Sequence, residues 1–406
     1  MKYLNWYFNT YKGLSKEIWI IAATLLINRS GVMVMTFLAL YLIEDFNYSV
    51  AKAGFVVSFY GWGSLVGVWL GGILAEKIGY LKIQFLALLA SGLVFISMFF
   101  ANEYWEFILL SFLVSATADM FRPANMASIP WYSNKGNRKR SIALIRLAIN
   151  LGISIGPALG GFLALSIGYT ALFWVDGITC IVAALFLALL LGLKDPKINE
   201  EGEVLTPSNE IKAVLENPEN KTENLPKFYW LLAGAAVWSF VFFQLIYTFP
   251  VFLKKELLFD EFTIGLFFTL NGLLIFFTEM PIIHQLQEKR VIPILNLGII
   301  LCAISFVFLA SGKPEMLVFP FMYILFITYG EIFYLPFTNS LALDFTPKKN
   351  KAKFMGYYSL AFSISHVLGP LIGLWVADTM GFQPLWIGCG ILMMLVLLIT
   401  RGLKRE

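Results

Sequence analysis

The sequence predicts an all-α membrane protein: twelve transmembrane helices in two pseudo-symmetric six-helix halves. Three observations predict it. Of 406 residues, 59% are hydrophobic and 14% charged, with a mean hydropathy of +0.75. Soluble domains carry about 25% charged residues, so this chain is built for lipid. Twelve apolar segments approach the ~20 residues needed to cross a ~30 Å hydrocarbon core. Finally, a polar stretch divides the chain into two parts, and the second part repeats the first.

The expected spans are 17–43, 50–75, 82–101, 105–130, 139–165, 169–193, 228–253, 262–286, 291–311, 315–343, 350–377 and 383–400. Short alternating strands are missing from the sequence, so helices are the way to satisfy the backbone in lipid. With the N-terminus inside, 23 of the 30 Lys and Arg fall in inner segments and four in outer ones. That bias predicts cytoplasmic termini. Residues 194–227, rich in Glu, Asn, Pro and Lys, read as a cytoplasmic linker with a short helix around Glu210–Leu215. The expected units are therefore 1–193, 194–227 and 228–406.

The repeat is explicit. "FRPANMASI" at 121–129 aligns with "YLPFTNSLA" at 334–342 at an offset of 213, which also carries Gly156-Pro157 onto Gly369-Pro370 and Gly160 onto Gly373. An offset of 211 carries Gly54 onto Gly265 and Gly61 onto Gly272. A parallel six-plus-six duplication is the layout of secondary transporters, whose substrate site lies between the halves near the midplane.

Other classes are excluded. The net charge of +4 does not suggest a nucleic-acid partner. Cys180, Cys302 and Cys389 all lie in apolar segments without ligand spacing, and read as small buried hydrophobes. The opening "MKYLNWYFNTYKGLSKE" lacks the layout of a cleaved signal peptide. There is no Ser-His-Asp set, metal-ligand cluster or phosphate loop, so neither an enzyme nor an ATP-driven pump is expected. No cofactor is expected beyond protons as the coupling ion. The expected setting is a monomer in the bacterial cytoplasmic (inner) membrane, meeting a small-molecule substrate and the bilayer.

Two motifs carry a family resemblance. "GGILAEKIGYLK" at 71–82 resembles motif A of the major facilitator superfamily, with Gly72, Lys77 and Gly79 matching and Glu76 standing where the family has Asp. "GISIGPALGG" at 152–161 resembles motif C, through Gly152, Gly156, Pro157, Gly160 and Gly161. The resemblance covers roughly residues 17–402. It is greatest to the bacterial drug:proton antiporter groups, through "NRSG", "FRPANMA" and "RLAINLGISIGPALGG". Peptide:proton symporters share the "LYL" element, but their first-helix signature E-x-x-E-R-F-x-Y-Y is absent here.

The resemblance implies a cytoplasmic gate at motif A, with Glu76 facing the start of the eleventh helix and a basic partner across the halves. Arg146, six residues after Arg140, is placed to meet Glu76. Motif C implies close helix packing, and in the family it marks the antiporter branch. The resemblance also implies that the first, fourth, seventh and tenth helices line the central cavity.

A charge at the bilayer centre costs at least ~2.5–3.5 kcal/mol and is normally paired or turned to a cavity. At ~1.5 Å per residue, Arg29 lies roughly 18 Å beyond Glu17. Asp119, Glu331 and His366 are at similar depth, so Arg29, Asp119, Arg122 and Glu331 form the expected polar set. Glu331 has no basic residue within a turn, and a carboxyl so placed is one a carrier can load with a proton. A hydrogen-bonded Glu that does not titrate is the alternative. Asp119 and Arg122, at i and i+3, can pair locally, or Asp119 can pair with Arg29.

Glu279 reads either as a proton-exchange site or as a packing residue, and His284 as interfacial. His366 is a candidate relay against a plain core role, and Asp176 a packing cap. Tyr60, Trp62, Trp238, Phe242, Gln244, Tyr247, Phe333 and Tyr334 are candidates for an aromatic cavity wall, which suits hydrophobic or amphipathic substrates. The alternative for such residues is a lipid-facing or interfacial place. The expected activity is proton-coupled export of such compounds by alternating access. The alternatives are proton-coupled import of peptides or other organic anions, and a lipid translocase or receptor on the same scaffold.

Overall fold

The computed structural model describes residues 13–133, 137–195, 224–286, 288–346 and 351–403. Among them the secondary structure is entirely helical. Twelve spans are long and apolar enough to cross a bilayer: α1 Lys16–Glu44, α2 Val50–Ile78, α3 Tyr80–Met98, α4 Tyr104–Tyr132, α5 Arg140–Ser166 and α6 Thr170–Leu191, then α7 Leu225–Tyr247, α8 Glu261–Leu286, α9 Val291–Ala310, α10 Val318–Phe345, α11 Phe354–Met380 and α12 Phe382–Gly402. The chain is an integral membrane protein. An even number of spans puts both ends of the bundle on one side, called here the near side, and the opposite one the far side. The helix α7 begins three residues inside the expected linker, and the short helix expected around Glu210–Leu215 lies outside the described residues.

Local chemistry sets the helix ends. Ser15 and Ser49 cap α1 and α2 by accepting from the Ile18 and Lys52 amides at 3.3 Å. Glu103 and Glu106 form a capping box at the start of α4. Gly79, at φ +107°, separates α2 from α3 in a conformation that a side chain would strain. Asp195, just past α6, accepts from the Tyr80 and Leu81 amides at 2.9 and 3.0 Å and caps α3.

Several spans are interrupted. α1 consists of Lys16–Ser30 and Val34–Glu44, joined by Gly31-Val32-Met33. α4 breaks at Met120 and ends in a 3-10 turn, Ile129–Tyr132. α7 runs Leu225–Phe242 and then Gln244–Tyr247, with a further short helix at Phe249–Lys255.

Glycines hold the halves together toward the far side. A Cβ added at Gly54 would lie 2.7 Å from the Pro370 carbonyl oxygen, and one at Gly61 would lie 2.6 Å from the Val367 nitrogen, so α2 meets α11 backbone to backbone. The repeat places Gly265 against Pro157 and Gly272 against Ser154, joining α8 to α5 in the same way. Motif C divides its glycines. Gly152, Gly156 and Gly160 seat α1 at residues 29–33, while Gly161 meets the backbone of Glu261 and Phe262 on α8. At the far end Glu261 is buried, accepts from the Tyr169 hydroxyl at 2.6 Å and pairs with Lys254 at 2.7 Å. Tyr169 belongs to the first half, so this cluster also crosses between halves. On the near side, Gly72 and Gly356 face open space.

Candidate functional site

Between the halves, on the near side of these glycine contacts, lies a cavity of about 600 Å³, within the range of small-molecule sites. Its polar wall comes from both halves. Ser64 of α2, Arg122 of α4, and Arg146 and Asn150 of α5 face Glu279 of α8, Glu331 and Asn339 of α10, and His366 of α11.

The expected polar set is only partly gathered on this wall. Asp119 is buried and pairs with Arg122, Oδ1 to Nε, at 3.2 Å, so the local i,i+3 partner is the one taken. Arg29 does not pair with Asp119 or with any other acid among the described residues, and its Nε is buried without a hydrogen-bond partner. Asp119, Arg122, Tyr60 and Cys180 are the groups around it. Arg122 lines the cavity, and Arg29 and Asp119 do not.

Glu331 is on the wall and makes no ion pair among the described residues. Asn271 of α8 is beside it and also donates to Thr328, one helical turn before Glu331, at 2.8 Å. Arg146 reaches across the halves to Glu279, Nη2 to Oε1, at 2.7 Å.

The Arg146–Glu279 pair corrects the expected Arg146–Glu76 contact. Glu76 is exposed at the near end of α2 without an ion pair among the described residues. The physical reason is that α2 and α5, although in one half, pack on different helices: Gly54 and Gly61 of α2 meet α11, whereas α5 meets Gly265 and Gly272 of α8, so Arg146 is carried toward α8 and away from Glu76. Lys77 is likewise exposed, and the start of the eleventh helix, which Glu76 is expected to face, lies partly outside the described residues.

His366 sits on the cavity wall with its Nδ1 2.8 Å from the Tyr247 hydroxyl and its ring 3.8 Å from that of Phe243. His284 is exposed near the near-side end of α8.

The expected aromatic wall does not form. Trp238 is fully buried between Tyr334 and Phe242, with ring centroids 4.3 and 4.9 Å away, so these three pack the second half. Gln244 is buried and spends its amide on the Phe240 and Gly369 carbonyls and on Thr248. Trp62 is 51% exposed but not on the wall, and neither Tyr60 nor Phe333 is. The aromatic groups that do line the cavity, Tyr358 and Phe362, come from α11. They were missed, with Ser359, Ser363, Asn150 and Asn339. A signal existed: Tyr358, Phe362 and His366 recur every four residues, and so do Ser359 and Ser363, giving a polar stripe on an apolar helix.

No group of three or more His, Cys, Asp or Glu placed to hold a metal ion occurs among the described residues. Cys180, Cys302 and Cys389 are buried and unbridged. With charges of both signs, hydroxyls and amides on its wall, the cavity can take up a polar or amphipathic molecule and exchange ion-pair partners with it.

Comparison with known proteins agrees with this architecture. The family model described as Major Facilitator Superfamily matches residues 18–350 and 329–405. The uncharacterized MFS-type transporter YqjV of Bacillus subtilis is 25% identical over 374 residues, covering 91% of this chain and 88% of that one. The multidrug resistance protein MdtG of Salmonella typhimurium is 28% identical over 155 residues, 37% of this chain and 38% of the other. Among solved structures, a peptide transporter POT in complex with sulfate superposes with a TM-score of 0.78 at 15% identity, covering 97% of this chain and 96% of that one, a likeness of fold.

Proposed function

Because the chain belongs to the major facilitator superfamily and is a transporter, we propose that it exports amphipathic small molecules in exchange for protons. The observation that carries this reading is Glu331, a carboxyl on the wall of the inter-half cavity without a cationic partner among the described residues. The Lys and Arg bias supports cytoplasmic termini, which makes the near side cytoplasmic and the cavity open to the cytoplasm. The polar wall extends the substrate class beyond the neutral hydrophobes that an aromatic wall would favour.

In this reading a protonated, neutral Glu331 tolerates closure of the cavity around it, and an ionised one does not, because an unpaired charge in a dry site is costly. Loading and losing the proton therefore biases which face is open. Glu279 is the second acid of the cycle. Held by Arg146, it ties the two halves across the near side, and releasing that pair accompanies each change of face. The experiment is efflux of an amphipathic cationic dye from proteoliposomes under an imposed proton gradient. Glu331→Gln is expected to abolish gradient-driven efflux while passive exchange survives. Gradient-driven efflux at the parental rate across pH 5 to 9 would remove Glu331 from the coupling step.

A second reading, proton-coupled uptake of an organic anion, is favoured by one observation: Arg29 has no acidic partner among the described residues. A substrate carboxylate reaching Arg29 and Arg122 would supply one. Thermal stabilisation by small peptides or carboxylates but not by lipophilic cations, lost in Arg29→Ala, would select this reading over export.

A further inference from the structure

At the α1 break the Gly31, Val32 and Met33 amides turn to nearby carbonyls, Met33 to Gly31 at 2.8 Å, and the Val34 amide is left without a backbone acceptor in the middle of a membrane protein, where an unpaired amide is costly. A single residue answers it. Asp176 of α6, 1% exposed, accepts from the Met33 amide at 3.1 and 3.2 Å and from the Val34 amide at 2.9 Å. Its neighbours on the same α6 face complete the grip. Thr179 meets Gly31, and Cys180 accepts from the Asn28 side chain at 3.2 Å. On the opposite side, motif C presses Gly152 against Arg29 and Gly156 against the carbonyls of Arg29, Ser30 and Val32. The break is thus clasped between a glycine face of α5 and a polar edge of α6.

The charges fit the two half-helices. Arg29 stands in the last turn of Lys16–Ser30, the partially negative end. Asp176 stands at the first amides of Val34–Glu44, the partially positive end. In transporters with discontinuous helices such ends commonly hold the transported ion or substrate. Here the positive end carries a resident carboxylate instead, and the side chain left without an opposite charge is Arg29.

We propose that Asp176 is a positioning residue: by holding α1 broken at Gly31–Met33 it sets the direction of Arg29 toward Asp119, Arg122 and Tyr60. Without that carboxylate, α1 closes its own hydrogen-bond ladder across the break and Arg29 turns away from that group. This rests on the reading of Arg29 as a charge of the transport site. The test measures no transport, so the two ideas fail separately.

The test uses the full chain in detergent with Cys180, Cys302 and Cys389 replaced by alanine. A single thiol is introduced by Arg29→Cys, or on the cavity wall by Ser359→Cys as a control, and its reaction with a water-soluble maleimide is timed. Asp176→Ala is expected to slow labelling at position 29 at least tenfold and leave position 359 unchanged. Asp176→Asn, which keeps one acceptor oxygen, is expected to slow position 29 about threefold, and it carries the test if the alanine variant fails to fold. Unchanged labelling at position 29 overturns the proposal. So do parallel changes at both positions, which indicate loosening of the whole fold.

Discussion

Adding one methyl group at Gly61 should pry the far side open. A Cβ there would lie 2.6, 2.7 and 2.8 Å from the Val367 nitrogen and the His366 carbonyl carbon and oxygen, all backbone atoms of α11. None can rotate away, so the 2.6 Å approach must widen to the ordinary limit of about 3.4 Å by separating α2 from α11. Forcing a methyl into a packed interface costs about 1–3 kcal/mol. That is roughly a 5- to 150-fold shift of population away from the far-side-closed state. The assay is double electron–electron resonance between spin labels at Lys52 and Asp378, at the far ends of α2 and α11. In Gly61→Ala the short-distance population should shrink and a longer one appear. An unchanged distance distribution in a folded variant would refute the backbone-contact argument.

The Arg146–Glu279 pair makes a second prediction. Either Arg146→Ala or Glu279→Ala should lower transport at least tenfold. The double exchange Arg146→Glu with Glu279→Arg should retain more activity than the losses of Arg146→Glu alone and Glu279→Arg alone combined would leave, a coupling readable by a double-mutant cycle. Additive losses would show that the 2.7 Å contact is not used. Trp238→Ala should lower stability by about 3–5 kcal/mol, as for a core aromatic, and lower the unfolding temperature without altering substrate preference. A selective change in which compounds are carried would return Trp238 to the substrate wall.

Much of the fold was legible because lipid leaves few choices. A backbone in hydrocarbon must be helical, so hydropathy reported the spans, and the repeat reported that α8 is the counterpart of α2 and α11 the counterpart of α5. Individual contacts were less legible. Gly31 is visible in the sequence, but the carboxylate that completes its break lies 143 residues beyond Met33, at Asp176. Counting placed Arg146 near the inner surface, yet its partner was decided by the seating of α5 on α8, which the charge pattern did not report. The aromatic residues misled for a related reason. Trp238 and Tyr334 occupy the depth expected of cavity residues, but a helix apolar all round does not announce which face meets a neighbour.

The glycine patches also set the gearing of the molecule. Gly54 and Gly61 on α2, with Gly265 and Gly272 on α8, mark a band where the halves cannot come closer. From Gly61 to Ile78, the near end of α2, the helix runs about 25 Å at ~1.5 Å per residue. A tilt of about 10° about that band moves the near end by roughly 4 Å, more than the reach of an ion pair. The Arg146–Glu279 contact is seven residues, about 10 Å, from Gly272 along α8, where the same tilt gives roughly 2 Å, enough to part the 2.7 Å contact while the fulcrum stays in place.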